Sequence, residues 1–365
     1  MITISLCMIV KNEEDVLGRI LGQMKEIADE IIIVDTGSTD RTKEIAGRYT
    51  ALIYDYPWNQ DFAAARNFAV SKASGDYWMW LDADDVVQPD QQRKLLLLKE
   101  QLDPSVDIVM MKYLTGFDQD GNVTFSYDRE RLIKNGRGFT WKGRVHEAIT
   151  PAGNILYSPV EIEHRKVKVG DSDRNLNIYE TMLAESKVLE PRHQYYYGRE
   201  LYYHQRYEDA VSVFMHFLEE PNGWTENKID ACLQMSYCYE HLGKLKEQKL
   251  ALLTSFLFDL PRGEICCELG RLMMEQQDYH KAVYWYEQAL SSTPPEDSGA
   301  FIQRDCYGYI PCIQLCVCYD KLKDYQKAFQ YHLRSRKLKP DTDAVHQNQQ
   351  YFQNNFKEFY HSEAK

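Results

Sequence analysis

The strongest constraint on this chain is a change of period along its length. Up to about residue 105, short apolar runs alternate with helical patterns, and from about residue 172 only helical patterns remain. "ITISLCMIV", "EIIIVD", "ALIYDY" and "DYWMWL" are β-rich runs. Between them, "NEEDVLGRILGQMKEI", "TDRTKEIAGRY" and "DFAAARNFAVSKA" place apolar side chains at helical spacing. The first of these helices carries acids at its start, and the second has Thr39 or Asp40 as its N-cap. Strands alternating with helices predict a mostly parallel sheet covered on both faces. "VDIVMMKYL", "GFDQDGNVTFSY", "RERLIK" and "NILYSPVEIEH" then read as strands, with a turn at Asp120-Gly121 or Gly121-Asn122.

The second half is repetitive. "LGRLMMEQQDYHKAVYWYEQALSSTP" carries Leu269, Gly270, Ala282, Tyr286, Ala289 and Pro294 at the positions of a tetratricopeptide repeat. Aligning Ala210 with Ala282 brings Gly198 and Phe214 into register, and Ala328 does the same for Leu315, Tyr319 and Pro340. "QMSYCYEHLGKLKEQKLALL" is a degenerate copy with Gln248 where alanine is expected, and "SSTPPEDSGAFIQ" is a spacer. Such units stack into a solenoid, commonly a peptide-binding surface, with dimerisation as the competing use. In "QYYYGRELYYHQRY", Tyr197 and Leu201 fall on packing positions, whereas Tyr196, Tyr203 and His204 do not.

Composition removes several function classes. The 365 residues carry 43 Lys+Arg against 55 Asp+Glu, a net charge of −12, which argues against indiscriminate nucleic-acid or anionic-membrane binding. The opening "MITISLCMIVKNEE" has no basic leader, and its apolar run is too short for a signal peptide or membrane span. Nine cysteines, several in helical segments, read as buried reduced thiols of a cytoplasmic protein.

One stretch runs against these patterns. "WLDADD" concentrates Asp82, Asp84 and Asp85 at the end of the fourth strand. Clustered carboxylates repel, and taking them out of water is costly unless they are paired. In an open α/β sheet, ligands sit at the carboxyl ends of strands, where Asp35 also lies. An Asp-x-Asp there can hold a divalent cation that neutralises a diphosphate. A solvated turn with helix N-caps is the alternative.

"ISLCMIVKNEE", "IIIVDTGSTDRT", "DFAAARN", "ASGDYWMWLDADD" and "WKGRVHEAI" occur in that order. Together they resemble inverting glycosyltransferase family 2, over roughly residues 2–165. The resemblance implies a nucleotide-sugar-binding GT-A fold, an α/β Rossmann-like domain. The expected organisation is a catalytic domain over 1–168, a linker helix over 169–194 and an all-α repeat solenoid over 195–365. With the trailing repeats, the chain resembles bacterial peptide glycosyltransferases of the sublancin and glycocin type.

The resemblance also implies roles. Asn12, Glu13 and Asp35 would line the base and ribose pocket; helix capping and loop anchoring are their alternatives. Arg66 would contact the nucleotide or make a structural ion pair. Asp82 would face the ribose and a metal-bound water, Asp84 would ligate Mn²⁺ or Mg²⁺, and Asp85 would cap the next helix. Arg129 and Arg131 would contact the diphosphate or lie on a solvated strand edge. Trp141 and Gly143 would form the acceptor loop. Glu147 would be the general base, with His146 adjoining it, and His164 the third metal or phosphate ligand, His146 and His164 being interchangeable in that role. The donor would be UDP-glucose or a UDP-N-acetylhexosamine, and the acceptor a Cys, Ser or Thr of a peptide or protein. The chain lacks the Gln-x-x-Arg-Trp signature of processive synthases. A glycolipid or cell-envelope glycan acceptor is the second reading, and an inactive repeat scaffold the third.

Overall fold

The computed structural model describes every residue except 118–120, 122, 168–171, 186–187, 296–299, 301, 358 and 360–365. The expected turn residues Asp120 and Asn122 therefore lie outside the described residues, as does part of the 291–303 spacer. The chain forms two compact units, Met1–Leu189 and Glu190–Lys365. Their boundary falls inside the segment expected as a linker helix. Of that segment, Arg174–Ala184 is helical and belongs to the first unit, whereas the helix that opens the second begins at Pro191.

In the first unit, strands β1 (Ile4–Val10), β2 (Glu30–Asp35), β3 (Ile53–Asp55) and β4 (Tyr77–Trp80) alternate with helices α1 (Leu17–Met24), α2 (Thr42–Ala46) and α3 (Phe62–Val70). Then come β5 (Asp85–Val86), α4 (Pro89–Gln101), β6 (Ile108–Phe117), β7 (Val123–Lys134), β8 (Ile155–His164) and α5 (Arg174–Ala184). The sheet order is β3-β2-β1-β4-β7-β6-β8-β5. β1 pairs in parallel with both β2 and β4, so strand order reverses direction beside it. β7 and β5 run antiparallel to their neighbours.

Both faces of β1 are buried, as its continuous apolar run requires. Ile4, Leu6, Met8 and Val10 pack in one core with Leu17, Ile20 and Leu21 of α1 and Leu95 of α4. Cys7 belongs to the opposite core with Ala63 and Ala69 of α3 and Trp78, Trp80 and Trp141.

Three local expectations change. α1 starts at Leu17 rather than near Asn12, because Asn12 takes a left-handed backbone (φ 57°) and opens a turn. Arg41 is the N-cap of α2, although Asp40 Oδ1 accepts from the Thr42 amide at 2.9 Å. The runs "VTFSY" and "RERLIK" are one strand, β7. β8 keeps Pro159 inside it; pairing with β6 slips there, between the Met110–Tyr157 and Lys112–Glu161 pairs, as a residue without an N–H demands.

The second unit is helical. Four helix pairs are present among its described residues: α6 (Pro191–Tyr203) with α7 (Tyr207–Glu219), α8 (Thr225–His241) with α9 (Leu245–Thr254), α10 (Gly263–Glu275) with α11 (Tyr279–Ser291), and α12 (Tyr309–Lys321) with α13 (Tyr325–Leu338). α14 (Asp343–Asn355) follows. Gly198 and Gly270 admit their partner helices: a Cβ on either would lie under 3 Å from the ring of Phe214 or Tyr286. Ala210, Ala282 and Ala328 are fully buried, and Gln248, in the degenerate copy, is buried too.

The four turns within pairs share one device. Gln205, Gly243, Gln277 and Lys323 are left-handed, with φ between 60° and 68°. The next amide (Arg206, Lys244, Asp278, Asp324) donates to the carbonyl of Leu201, Tyr239, Met273 or Tyr319 at 2.9 Å. This is a Schellman closure. All nine cysteines are free and buried. Among the described residues, no helix is long and apolar enough to cross a membrane.

Candidate active site

The carboxyl ends of β1, β2, β4 and β8 open into a cleft of roughly 450 Å³. Its lining includes Lys11 and Glu13 after β1, Thr36 after β2, Asp82 and Asp84 after β4, and His164 at the end of β8. His146 and Glu147 join from the loop before β8.

Arg66, on α3, is the centre of charge on one wall. Asp61 starts α3 by accepting from the Ala64 amide at 2.8 Å, and this directs the Arg66 side chain inward beneath β4. Its Nε donates to Glu147 Oε1 at 2.6 Å and an Nη donates to Asp82 Oδ1 at 2.8 Å. The guanidinium also lies 5.0 and 4.9 Å from the ring centroids of Trp80 and Trp141. Burial disfavours the charge on Arg66, but the Asp82 and Glu147 carboxylates outweigh it and raise its pKa. Burial likewise opposes ionisation of Asp82, yet Arg66 and Arg131 bring its pKa down to about 2. Arg66 makes the ion pair expected as one of its two readings, and it also lines the cleft.

The three acids of "DADD" have separate fates. Asp85 is fully buried in β5, which pairs with β8 so that Asp85 lies opposite His164. Its Oδ1 accepts from the Tyr113 hydroxyl at 2.8 Å. Its Oδ2 accepts from Arg131 at 3.1 Å and from the Asp82 amide at 3.0 Å. It does not cap α4, whose N-cap is Gln88. Asp84 is partly exposed, and burial, reinforced by Asp82 and Asp85 and opposed by His164, raises its pKa. His164 Nδ1 is buried 3.4 Å from an oxygen of both Asp84 and Asp85, too far for a proper hydrogen bond with either. Burial disfavours the charged imidazole, but the three aspartates outweigh it and raise its pKa. Among the described residues, Asp84, Asp85 and His164 bring ligand-type atoms within 4.8 Å of one another, whereas the expected set was Asp82, Asp84 and His164.

Several expected site residues lie elsewhere. Arg131 is fully buried, 3.8 Å from the Trp80 ring centroid and 4.2 Å from that of Tyr113. It is a core countercharge for Asp85 and cannot reach a diphosphate. Arg129 pairs with Glu130 and covers Trp80. Trp141 is buried, and Asn67 holds both its amide and its carbonyl, at 2.9 and 3.0 Å. Gly143 (φ 96°) turns the loop beyond it and is not part of the cleft lining. Asn12 and Asp35 serve the β2–α2 loop instead of lining the cleft: Asn12 Oδ1 accepts from the Thr39 amide at 2.7 Å, and Asp35 Oδ1 from Gly37 and Ser38 at 3.0 and 2.8 Å. Asp35 Oδ2 is buried with no hydrogen-bond partner. His146 takes a left-handed backbone (φ 50°) on the cleft wall, its ring stacked 6.4 Å from that of Tyr179.

Sequence reasoning missed the cations and aromatics of the cleft. Lys11, Lys166 and Arg174 line it, as do Trp58 and Phe62, whose rings meet edge to face at 4.7 Å. Arg174 lies 4.8 Å over Phe62. The one available signal was "PWNQDF", two exposed-type aromatics in a polar connection just before a helix.

Residues 5–157 match the model of glycosyl transferase family 2, and residues 263–295 match a tetratricopeptide repeat model. A TPR repeat-containing protein of Synechococcus elongatus is 36% identical over 41% of this chain and 36% of its own length. The SPbeta prophage-derived glycosyltransferase SunS of Bacillus subtilis is 26% identical over 57% of this chain and 51% of its own. The lipopolysaccharide core biosynthesis glycosyltransferase LpsC of Rhizobium meliloti is 29% identical over 51% and 72%. The chain thus spans about a third to a half of the length of the first two of these relatives. The cleft-bearing first unit thus carries the match to glycosyl transferase family 2, and the second unit carries the match to a tetratricopeptide repeat.

Proposed function

We propose that this protein transfers one hexose, with inversion, from a UDP-sugar to a Cys, Ser or Thr side chain of a peptide or protein, the repeats binding the acceptor. The observation that carries this reading is the pairing, in one cleft, of Asp84 and His164, which Asp85 backs from the core, with the cations Lys11, Lys166 and Arg174. A cluster of acids alone would repel a diphosphate; acids that hold a cation, flanked by fixed positive charge, attract one.

The residues fit Mn²⁺ or Mg²⁺. His164 presents a buried nitrogen without a hydrogen-bond partner beside the partly exposed Asp84. Asp85 has both oxygens engaged by Tyr113 and Arg131, so Asp84 and His164 would be the ligands. A bound divalent cation supplies charge neutralisation for the departing diphosphate. Lys11, Lys166 and Arg174 add countercharge, and the Trp58–Phe62 pair offers an apolar face for a sugar or base. Asp35 Oδ2, buried and unpaired, is an acceptor suited to a ring N–H of the base once the β2–α2 loop admits it. Glu147 commits Oε1 to Arg66, which leaves Oε2 to take the acceptor proton, with His146 adjacent. The alternative of a glycolipid acceptor is supported by the likeness to LpsC, whose name places it in lipopolysaccharide core biosynthesis.

The test is incubation of the full chain with Mn²⁺ and a panel of nucleotide sugars, followed by mass spectrometry of candidate peptides and glycolipids. A peptide product of one added hexose from a UDP donor is the expected result. Transfer only to glycolipid replaces the acceptor assignment. Absence of nucleotide release from every donor returns the chain to the inactive-scaffold reading.

A further inference from the structure

The second unit carries an apolar stripe that its own fold does not use. On α9 and the helical turn after it, Gln248, Ala251, Leu252 and Ser255 are buried against neighbouring helices. On the opposite pole, Lys246, Leu250, Leu253 and Leu257 recur at helical spacing. Leu250, Leu253 and Leu257 are 53, 41 and 82% exposed, and Leu245 beside them is 45% exposed. These values are far above those of the packing leucines on the same helix pair: Leu233 is 5% exposed and Leu252 0%. Leu245, Lys246, Lys249 and Leu250 together line a shallow depression. Lys244 begins the helix, so this end presents three lysines against one acid, Glu247.

We infer that this face docks the protein on an anionic bilayer surface, with the leucines entering the acyl boundary and the lysines meeting headgroup phosphates. Exposed leucines rimmed by lysines suit the acyl boundary and the headgroups of an anionic bilayer. Charge complementarity selects the occupant. In a chain of net charge −12, a local surplus of lysine beside exposed leucine is directed at something negative and apolar at once. Because the stripe lies on the repeat unit, the inference stands whichever acceptor the cleft serves.

The experiment is flotation of the full chain with vesicles of phosphatidylcholine alone or mixed with phosphatidylglycerol, at 50 and 500 mM salt. The expected result is partition onto the anionic vesicles that weakens with salt and is slight on phosphatidylcholine. Leu250→Ser/Leu253→Ser/Leu257→Ser should lower that partition about 100-fold or more, since each leucine loses most of its transfer. Lys244→Gln/Lys246→Gln, which removes no apolar contact, should lower it about fivefold per lysine. Thermal melting checks that each variant is folded, and the lysine variant decides the matter if the leucine variant is not. No partition of the wild type onto anionic vesicles overturns the inference. So does a concentration-dependent dimer, seen by sedimentation, that the leucine substitutions dissociate.

Discussion

Arg66→Met tests the electrostatics of the first unit most directly. The substitution keeps much of the stem that packs between Trp80 and Trp141 and removes the charge. Asp82 and Glu147 are then left as poorly solvated carboxylates without their countercharge. Breaking a fully buried pair costs ~3–5 kcal/mol. Asp82 keeps about a third of its side-chain exposure, at 32%, so the lower end applies. The sign agrees with the Asp82 carboxyl, which Arg66, helped by Arg131, holds down at about 2 against the cost of burial, so its ionised form favours the folded state at neutral pH. The expected loss is therefore about 3 kcal/mol at pH 7, read by urea unfolding with the fluorescence of Trp78, Trp80 and Trp141. The sign with pH follows from linkage. The Asp82 contribution is complete above the unfolded pKa and is lost as pH falls through the folded one. The variant also relieves its repulsion by taking up protons. The gap between wild type and variant should therefore narrow steadily from about pH 5 to pH 3. A loss under about 1 kcal/mol at pH 7, or a gap that does not change with pH, would refute the ion-pair account of Arg66.

Three further outcomes follow from the same structure. Asp84→Asn should lower Mn²⁺ affinity about tenfold or more in a titration of the purified chain, whereas Asp82→Asn should change it far less; equal losses would return Asp82 to the ligand set. Gly270→Ala places a methyl 2.7 Å from the Tyr286 ring and should destabilise the repeats by about 1–3 kcal/mol, while Gly22→Ala, with its nearest neighbour at 3.6 Å, should stabilise the first unit by about 0.5–1 kcal/mol; calorimetry distinguishes them. Gln277→Gly and Lys323→Gly relieve left-handed backbone at the repeat turns and should each raise the midpoint of the second unit by up to about 1 kcal/mol equivalent; a decrease would mean that the side chain, not the backbone, sets the turn.

Much of the architecture was legible in the residues. The change of period separated a strand–helix region from a helical one, because side chains must return to the same face every second residue in a strand and every third or fourth in a helix. The repeats were legible because Gly198, Gly270 and the three alanines are dictated by contact with the neighbouring helix, a local requirement that recurs. Of the site residues read from the sequence, Asp82, Asp84, Glu147 and His164 come together in the lining of one cleft.

What the sequence by itself could not decide was which charges face the cleft and which are sealed in the core. Asp82, Asp84 and Asp85 are chemically identical and nearly adjacent. Their separate fates depend on pairing of β5 with the end of β8, which buries Asp85 opposite His164, and on Arg66, which reaches Asp82 from another element. Arg131 looked like a strand-edge cation, yet the countercharge that takes it inside is Asp85, 46 residues earlier. Lys166 and Arg174 carried no pattern at all, because only the folded chain brings them to the cleft lining. Periodicity reports which face of an element is apolar. The partner of a buried charge is set by contacts between residues far apart in sequence, and only the folded chain brings those together.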